Sequence, residues 1–474
     1  MYEAIIKAIS TRIKAVLHDS ADVLQSDLTP EKMGKLEQLL KSAATAGAAE
    51  AVKQSVQKHD SKEDVIEHEG RKLRRKATVE RKVLTLVGEI VIARNLYQAD
   101  AGGPTFAPLD HRMGIAGHYA TPEAREATLF LGAQMTAGET AVALRKVACF
   151  APSEKAVRKM IVDMGQWLEE NEETLLEAIA SRETPPERAE VLAVSLDGVN
   201  VLLREPGKKK GRPNERPGEH NQGDSPTSYR NAMVGAISYY TTQTCRFKGA
   251  TLLVPKRLGG VYTARMPEDR AATFKRHFER EVALAEMRVD ADAVRIVLID
   301  GARNLWNYVD HNPIFDDYQK LVDFYHATEH LSKAAEAIFG KGSPKATRWY
   351  LKYRRKLKRE DDAVAALRRS MDYYMKSGRL SKNRVDALRK ERTYFTRNRH
   401  RMEYARCRRN GWPIGSGPVE SACKTIVKHR LCRPGMRWHR ATGQHVLSLR
   451  TLLKSDRWDA MWQRYVQQTY NTAI

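Results

Sequence analysis

The stretch GWPIGSGPVESACKTIVKHR, residues 411–430, decides how the rest of the chain is read. It opens on small, bendable residues (Gly411, Pro413, Gly415, Gly417) and then places Pro418 where the first turn of a helix tolerates a missing N–H. From there Val419, Ala422, Cys423, Ile426 and Val427 recur at helical spacing and form one apolar stripe. Glu420, Lys424 and Lys428 follow a second stripe, four residues apart. One carboxylate thus sits in the first turn of a helix with two ammonium groups behind it. Taken alone, that stripe is an i,i+4 ion pair on a solvated face, worth about 0.2–0.5 kcal/mol.

Two carboxylates upstream point to another use. Asp197, in VLAVSLDGVNVLLRE, ends an apolar-rich run that resumes past Gly198. Asp300, in AVRIVLIDGARNLW, follows Val294, Ile296, Val297, Leu298 and Ile299. Either Asp-Gly pair is compatible with a hairpin turn. At Asp300 that reading weakens, because GARNLWNYV reads as helix or irregular chain and not as a returning strand. Two strand-end aspartates and a helix-borne glutamate, far apart in sequence, are a donor set suited to two-metal phosphoryl transfer. Hard divalent cations take oxygen ligands, and carboxylates on separate elements can converge on them.

The segments SLDGVNV, VLIDGARNLW, VDFYHATEHL, GSGPVESACK and GMRW, in this order, resemble the ISKra-type insertion-sequence transposases. These are DDE transposases with a ribonuclease H-like catalytic domain, and the resemblance runs from about residue 70 to the C-terminus. It implies an α/β fold: a ribonuclease H-like core with a helical basic insertion and a mainly helical N-terminal DNA-binding region. It implies Asp197, Asp300 and Glu420 as a metal-binding triad holding two Mg²⁺ (or Mn²⁺) ions. Asp197 and Asp300 are 103 residues apart, and Asp300 and Glu420 are 120 apart; the second gap implies a domain inserted before the glutamate helix. Asp323-x-x-His326, with His330 one turn later, resembles a signature of related transposases. His326 is accordingly a candidate to contact the scissile phosphate or hold a carboxylate, against the plainer reading of a structural histidine at a helix start. Lys424 is a candidate phosphate clamp beside Glu420.

The composition agrees with a polyanionic partner. The 474 residues carry a formal net charge of +23. Residues 341–440 hold 30 Lys and Arg against 8 Asp and Glu, so nearly all the excess lies in one block. Trp349, Tyr350, Tyr353, Tyr373, Tyr374, Tyr394 and Phe395 are interleaved with it, which suits stacking on exposed bases or the core of a helical insert. Five scattered cysteines without a CxxC favour neither a disulfide framework nor a zinc ribbon. No run of eighteen apolar residues and no signal peptide occurs, so a cytoplasmic, nucleoid-associated bacterial protein without a membrane partner is expected.

Taken in order, residues 1–65 read as a helical arm, with Thr29-Pro30 starting a helix that reaches Gln57. Residues 66–120 read as a β-hairpin turning at Val87-Gly88-Glu89, followed by loop. The family resemblance implies a small zinc ribbon after this hairpin, yet LYQADAGGPTFAPLD offers no cysteine. Residues 121–185 read as three helices with helix-turn-helix spacing; Thr136 and Glu139 form a capping box and Ser153 caps the third. Lys155, Arg158 and Lys159 lie on the outer face of that third helix as candidate groove readers. Residues 186–340 form the first part of the core, with strands at about 191–203, 233–241, 247–254 and 294–299, a helix over 267–287, a fifth strand in KLVDFYHAT and a helix from His326. Lys208, Lys209 and Lys210 lie in a Gly/Pro-rich loop that either grips DNA or is a solvated tip. Residues 341–412 form the basic insertion, where Arg354, Arg355 and Lys358 are candidate DNA contacts, as are Lys428 and Arg437 further on. Residues 413–474 complete the core, with Trp438 in its interior and the last helices packed on it.

The function expected is a DNA transposase that cuts transposon ends and transfers the strand into target DNA, working as a homodimer or higher homo-oligomer. A ribonuclease H-like nuclease or resolvase without strand transfer is the alternative enzyme. A non-catalytic, transposase-derived DNA-binding regulator is the alternative outside enzymes, marked by a lost carboxylate; all three are present.

Overall fold

Local signals carry the first third of the chain into helices and one hairpin, and continuous apolar runs carry the middle into a sheet. A computed structural model describes residues 2–18, 27, 29–184, 186, 188–204, 227–247 and 249–470. The chain divides into two compact units, Met1–Leu175 with Trp458–Ile474, and Leu176–Arg457.

In the first unit, α1 (Tyr2–His18) packs on α2 (Pro30–Gln57). Thr29 caps α2 by accepting from Lys32 N at 3.3 Å, as the Thr-Pro pair predicts. Gly47 permits the close approach, since a Cβ there would lie 3.0 Å from Ile13. Strands β1 (Val65–His68), β2 (Arg71–Thr85) and β3 (Gly88–Gln98) form an antiparallel sheet in that order. The expected hairpin is β2–β3, but Thr85 pairs with Gly88, so the turn is Leu86-Val87. β1, four half-exposed residues, carries no signal strong enough to read from sequence. The cysteine-free loop is ordered by backbone pairing: Tyr97 and Phe106 exchange two hydrogen bonds of 2.8 Å, and His68 stacks on Phe106 at 3.7 Å.

After a short α3 (Pro108–Arg112), the three expected helices are α4 (Pro122–Gln134), α5 (Ala137–Val147) and α6 (Glu154–Glu170). The Thr136–Glu139 capping box is fully formed, and Ser153 accepts from Ala156 N at 3.2 Å. The final helix, Trp458–Tyr470, was expected on the core but belongs to this unit. Its aromatic stripe finds its partners here: Trp458 meets Phe130 edge-on at 5.4 Å, and Tyr465 meets Trp167 at 4.9 Å.

α7 (Glu172–Ala180) spans the passage from one unit to the next along the chain. The second unit is built on a mixed five-stranded sheet of β4 (Val191–Arg204), β5 (Thr227–Phe247), β6 (Ala250–Arg265), β7 (Val294–Ile299) and β8 (Gln319–Val322), ordered β6-β5-β4-β7-β8. β4, β5 and β6 pair antiparallel, whereas β4, β7 and β8 pair parallel. The β5–β6 hairpin turns near Gly249, so the third strand is Ala250–Arg265 and not 247–254. The expected 267–287 helix is α8 (Ala272–Glu286), preceded by a 3₁₀ turn. α9 (Arg303–Asp310) separates β7 from β8, and α10 (Phe324–Phe339) follows β8.

The basic insertion contains α11 (Pro344–Leu357), α12 (Ala363–Lys376), α13 (Lys382–Arg397) and α14 (Tyr404–Arg409). It shares one core with the sheet: Trp349, Tyr353, Leu367, Phe395 and Tyr404 join the same buried cluster as Ile296–Ile299 and Leu321. This corrects the expectation of base-stacking aromatics. Most of these rings are buried or half-buried against protein, and Tyr373 alone of the seven is exposed (60%).

Candidate active site

Strand register builds the site. β4 and β7 pair from Val191↔Val294 to Val194↔Val297, and β7 and β8 pair from Ile296↔Gln319 to Ile299↔Val322. Continued to the strand ends, these registers set Asp197 beside Asp300 and Asp300 beside Asp323. Three carboxylates therefore stand at one level on three neighbouring parallel strands. Electrostatics agrees: burial raises the Asp300 pKa first, and the charges of Asp197 and Asp323 raise it further, against the opposing pull of the Ala302 N–H and His326.

Asp197 differs from expectation in one respect. It does not end its strand: β4 continues to Arg204, with Asp197 opposite Val234 of β5. What ends there is the shared edge with β7, whose strand stops at Ile299. Asp300 does end its strand, and its Oδ1 accepts from Ala302 N at 2.9 Å while its carbonyl accepts from Trp306 Nε1 at 2.8 Å. Neither Asp-Gly pair is a hairpin turn; one runs on as strand and the other leads into α9.

Asp323 is the residue the sequence undervalued, noted there only as part of a spacing with His326. It is 1% exposed and caps α10, accepting from His326 N at 2.7 Å. Its other oxygen accepts from Ser416 N at 2.5 Å and Ser416 Oγ at 2.9 Å. Three donors commit this carboxylate to holding the loop that leads into the glutamate helix. That helix begins at Phe324 side by side with the capping aspartate, so His326 lies in its first turn; the imidazole is half-buried and edge-on to His330 at 5.3 Å.

The 411–430 stretch folds as its stripe predicts, with a difference in pitch. α15 (Gly417–Ala422) carries Glu420 and packs across β4 and β5. Val419, Ala422, Cys423, Ile426 and Val427 are all buried, and Glu420, Lys424 and Lys428 are all exposed. From Cys423 to Lys428 the helix is π-helical, a form that gathers at functional sites. The Cys423 thiol donates to Asp197 Oδ2 at 3.4 Å, and burial followed by the Asp197 charge pushes its pKa well up, with a smaller push from Glu420. Glu420 forms no ion pair with Lys424 among the described residues.

A second residue reaches the site from the insertion. Tyr394 of α13 stacks on His330 at 3.6 Å, and His330 Nδ1 is 2.6 Å from Glu391. The Tyr394 ring lies so close to Gly301 that a Cβ there would be 2.5 Å from it. The hydroxyl is buried without a partner, and its pKa is raised by burial and then by Asp300 and Asp323.

Among the described residues no three His, Cys, Asp or Glu side chains form a ready group for a metal ion, so Glu420 does not close a triad with Asp197 and Asp300. The aspartate pair itself fits a hard divalent cation. Both are half-buried oxygen donors, and each makes the other costlier to ionise without a counter-charge.

The candidate nucleic-acid contacts are dispersed. Lys155, Arg158 and Lys159 are exposed on α6, where Arg158 pairs with Glu154 and Lys159 with Asp163 at 2.9 Å. Arg355 and Arg437 are exposed, whereas Arg354 and Lys358 are half-buried. Lys208, Lys209 and Lys210 lie outside the described residues. Trp438 is half-buried and not core: its backbone bridges to Leu203, and its indole N–H donates to Leu431 O at 3.0 Å. No family model matches the chain, and no curated protein matches it in sequence.

Proposed function

We propose that this chain is a DDE transposase of the ISKra type, cutting transposon-end DNA and joining the freed strand to target DNA. The observation that carries this reading is the register that levels Asp197, Asp300 and Asp323 beneath the helix bearing Glu420. The sheet order, antiparallel through β6, β5 and β4 and parallel through β7 and β8, supports a ribonuclease H-like core. The segregated positive charge supports a nucleic-acid partner.

Asp197 and Asp300 would hold Mg²⁺ or Mn²⁺, with Glu420 the remaining acidic candidate. Bound there, such ions supply a more acidic water and offset charge building on the phosphate. The chain's own residues do the positioning. Asp323 holds Ser416 and so sets where the glutamate helix starts. His326 faces the Asp300 charge and favours its ionised form. Lys424, exposed and free of Glu420, is available to a phosphate oxygen. No serine or tyrosine nucleophile is required, since water and then a 3′-hydroxyl attack phosphorus in turn. Two ends must be paired, which calls for a second copy of the chain.

The test uses a labelled duplex carrying the element's own end sequence, with Mg²⁺ or Mn²⁺. Asp197→Asn, Asp300→Asn and Glu420→Gln should each abolish cleavage while end binding persists, because binding rests on cations elsewhere. Full cleavage by any one of them removes that residue from the site. Cleavage that never yields joined product would replace the transposase with a nuclease.

A further inference from the structure

Arg354 and Lys358 stand one turn apart at the end of α11 and reach the same ring. The Arg354 guanidinium carbon is 5.7 Å, and the Lys358 Nζ 4.7 Å, from the centroid of Phe324. Phe324 is fully buried, follows Asp323 directly, and is closed on another side by Tyr404, edge-on at 5.1 Å. Arg408 of α14 joins the group: burial lowers the Lys358 pKa, and Arg354 and Arg408 lower it further. All three cations are half-buried, and none has an acidic partner among the described residues.

Their neighbours are treated differently. Lys356 pairs with Glu360 at 2.5 Å, Arg406 with Glu403 at 2.9 Å and Arg409 with Asp361 at 2.9 Å. The same helices therefore neutralise nearby cations and leave three half-buried ones facing each other. Contact with an aromatic face leaves their N–H donors unused, and like charges brought together repel. Such a cluster is relieved by an anion that accepts several hydrogen bonds at once. A tetrahedral phosphate group meets that need better than a planar carboxylate, since its oxygens diverge toward donors on two helices.

We propose that Arg354, Lys358 and Arg408 form a seat for one backbone phosphate of the substrate strand, set beside Phe324 and hence next to the carboxylate level. The proposal rests on the nucleic-acid reading above and names the contact that registers a strand against Asp300 and Asp323. The general basic surface of the insertion does not do this, because exposed, ion-paired residues follow a backbone without fixing its position.

The experiment uses the full chain and short duplexes of arbitrary sequence, read by fluorescence anisotropy across a salt series. Lys358→Met combined with Arg408→Met should weaken binding about tenfold and make the log–log salt slope shallower by about 2, one per lost phosphate contact. Arg355→Met, on the exposed side of the same helix, is the control and should change the slope by less than half as much. Inorganic phosphate is the second arm, read as a melting shift. If millimolar phosphate stabilises the parent and not the double variant while duplex affinity is equal in both, the seat takes free phosphate and the strand assignment is overturned. Equal slopes for the double variant and Arg355→Met also overturn it. Because the readout is binding, a chain that binds this way yet never cuts would sink the transposase reading and leave the seat intact.

Discussion

The Asp323 carboxylate grips Ser416 twice, through its backbone N–H at 2.5 Å and its hydroxyl at 2.9 Å, joining the end of β8 to the cap of the glutamate helix. A buried carboxylate replaced by a methyl group leaves the Ser416 and His326 donors without an acceptor. Asp323→Ala should therefore cost about 2–5 kcal/mol, measured by denaturant unfolding. Ser416→Ala removes one donor only and should cost about 1 kcal/mol. Equal losses for the two would mean that Asp323 is not the anchor of this loop.

Asp300 should show the opposite trade. Burial raises its pKa in the folded chain, and Asp197 and Asp323 add to the effect. A carboxyl whose folded pKa lies above its unfolded value binds more protons when folded, so stability falls as pH rises through that window. At neutral pH and without divalent ions, Asp300→Asn should raise the melting temperature by about 1–4 °C, corresponding to about 0.5–2 kcal/mol. The amide oxygen can still accept from Ala302 N. A lower melting temperature would show that the charge stabilises the fold.

Lys424 is the sharpest kinetic case. It makes no ion pair with Glu420, so the solvated-pair reading has lost its contact. A phosphate contact that strengthens in the transition state is worth about 2–4 kcal/mol. Lys424→Gln should thus slow end cleavage about 30- to 1000-fold with the melting temperature almost unmoved. A loss under about threefold returns the residue to the solvent face.

The charge block offers a bulk measurement. DNA affinity of the chain should fall steeply with salt, with a log–log slope of about −0.9 per phosphate neutralised. Reversing Arg348, Lys352 and Arg355, all on α11, to Glu should weaken specific and arbitrary duplexes alike. An unchanged slope would assign that charge to a protein partner.

Gly301 links the insertion to the carboxylates. A methyl group there would press into the Tyr394 ring, 2.5 Å away. Gly301→Ala should cost about 1–3 kcal/mol by overpacking and shift Asp300 with it. Tyr394→Phe, which deletes a buried hydroxyl that has no partner, should be nearly neutral in a melt.

Much of this architecture is local and was legible along the chain. The buried stripe Val419–Val427, the Thr136–Glu139 box, the strand running into Asp300 and the charge of residues 341–440 depend on neighbours within a few positions. Periodicity and capping report such features directly. The tertiary structure decided the rest. Asp197 lies mid-strand yet level with Asp300 because β7 stops where β4 continues, a matter of register between strands 103 residues apart. Asp323 owes its role to Ser416, and Tyr394 owes its place to the open side of Gly301. Residues read as base-stacking aromatics became core, and the last helix joined the other unit, because burial depends on which apolar surface arrives to cover a side chain. A sequence states which faces must be covered; only the folded chain states by what.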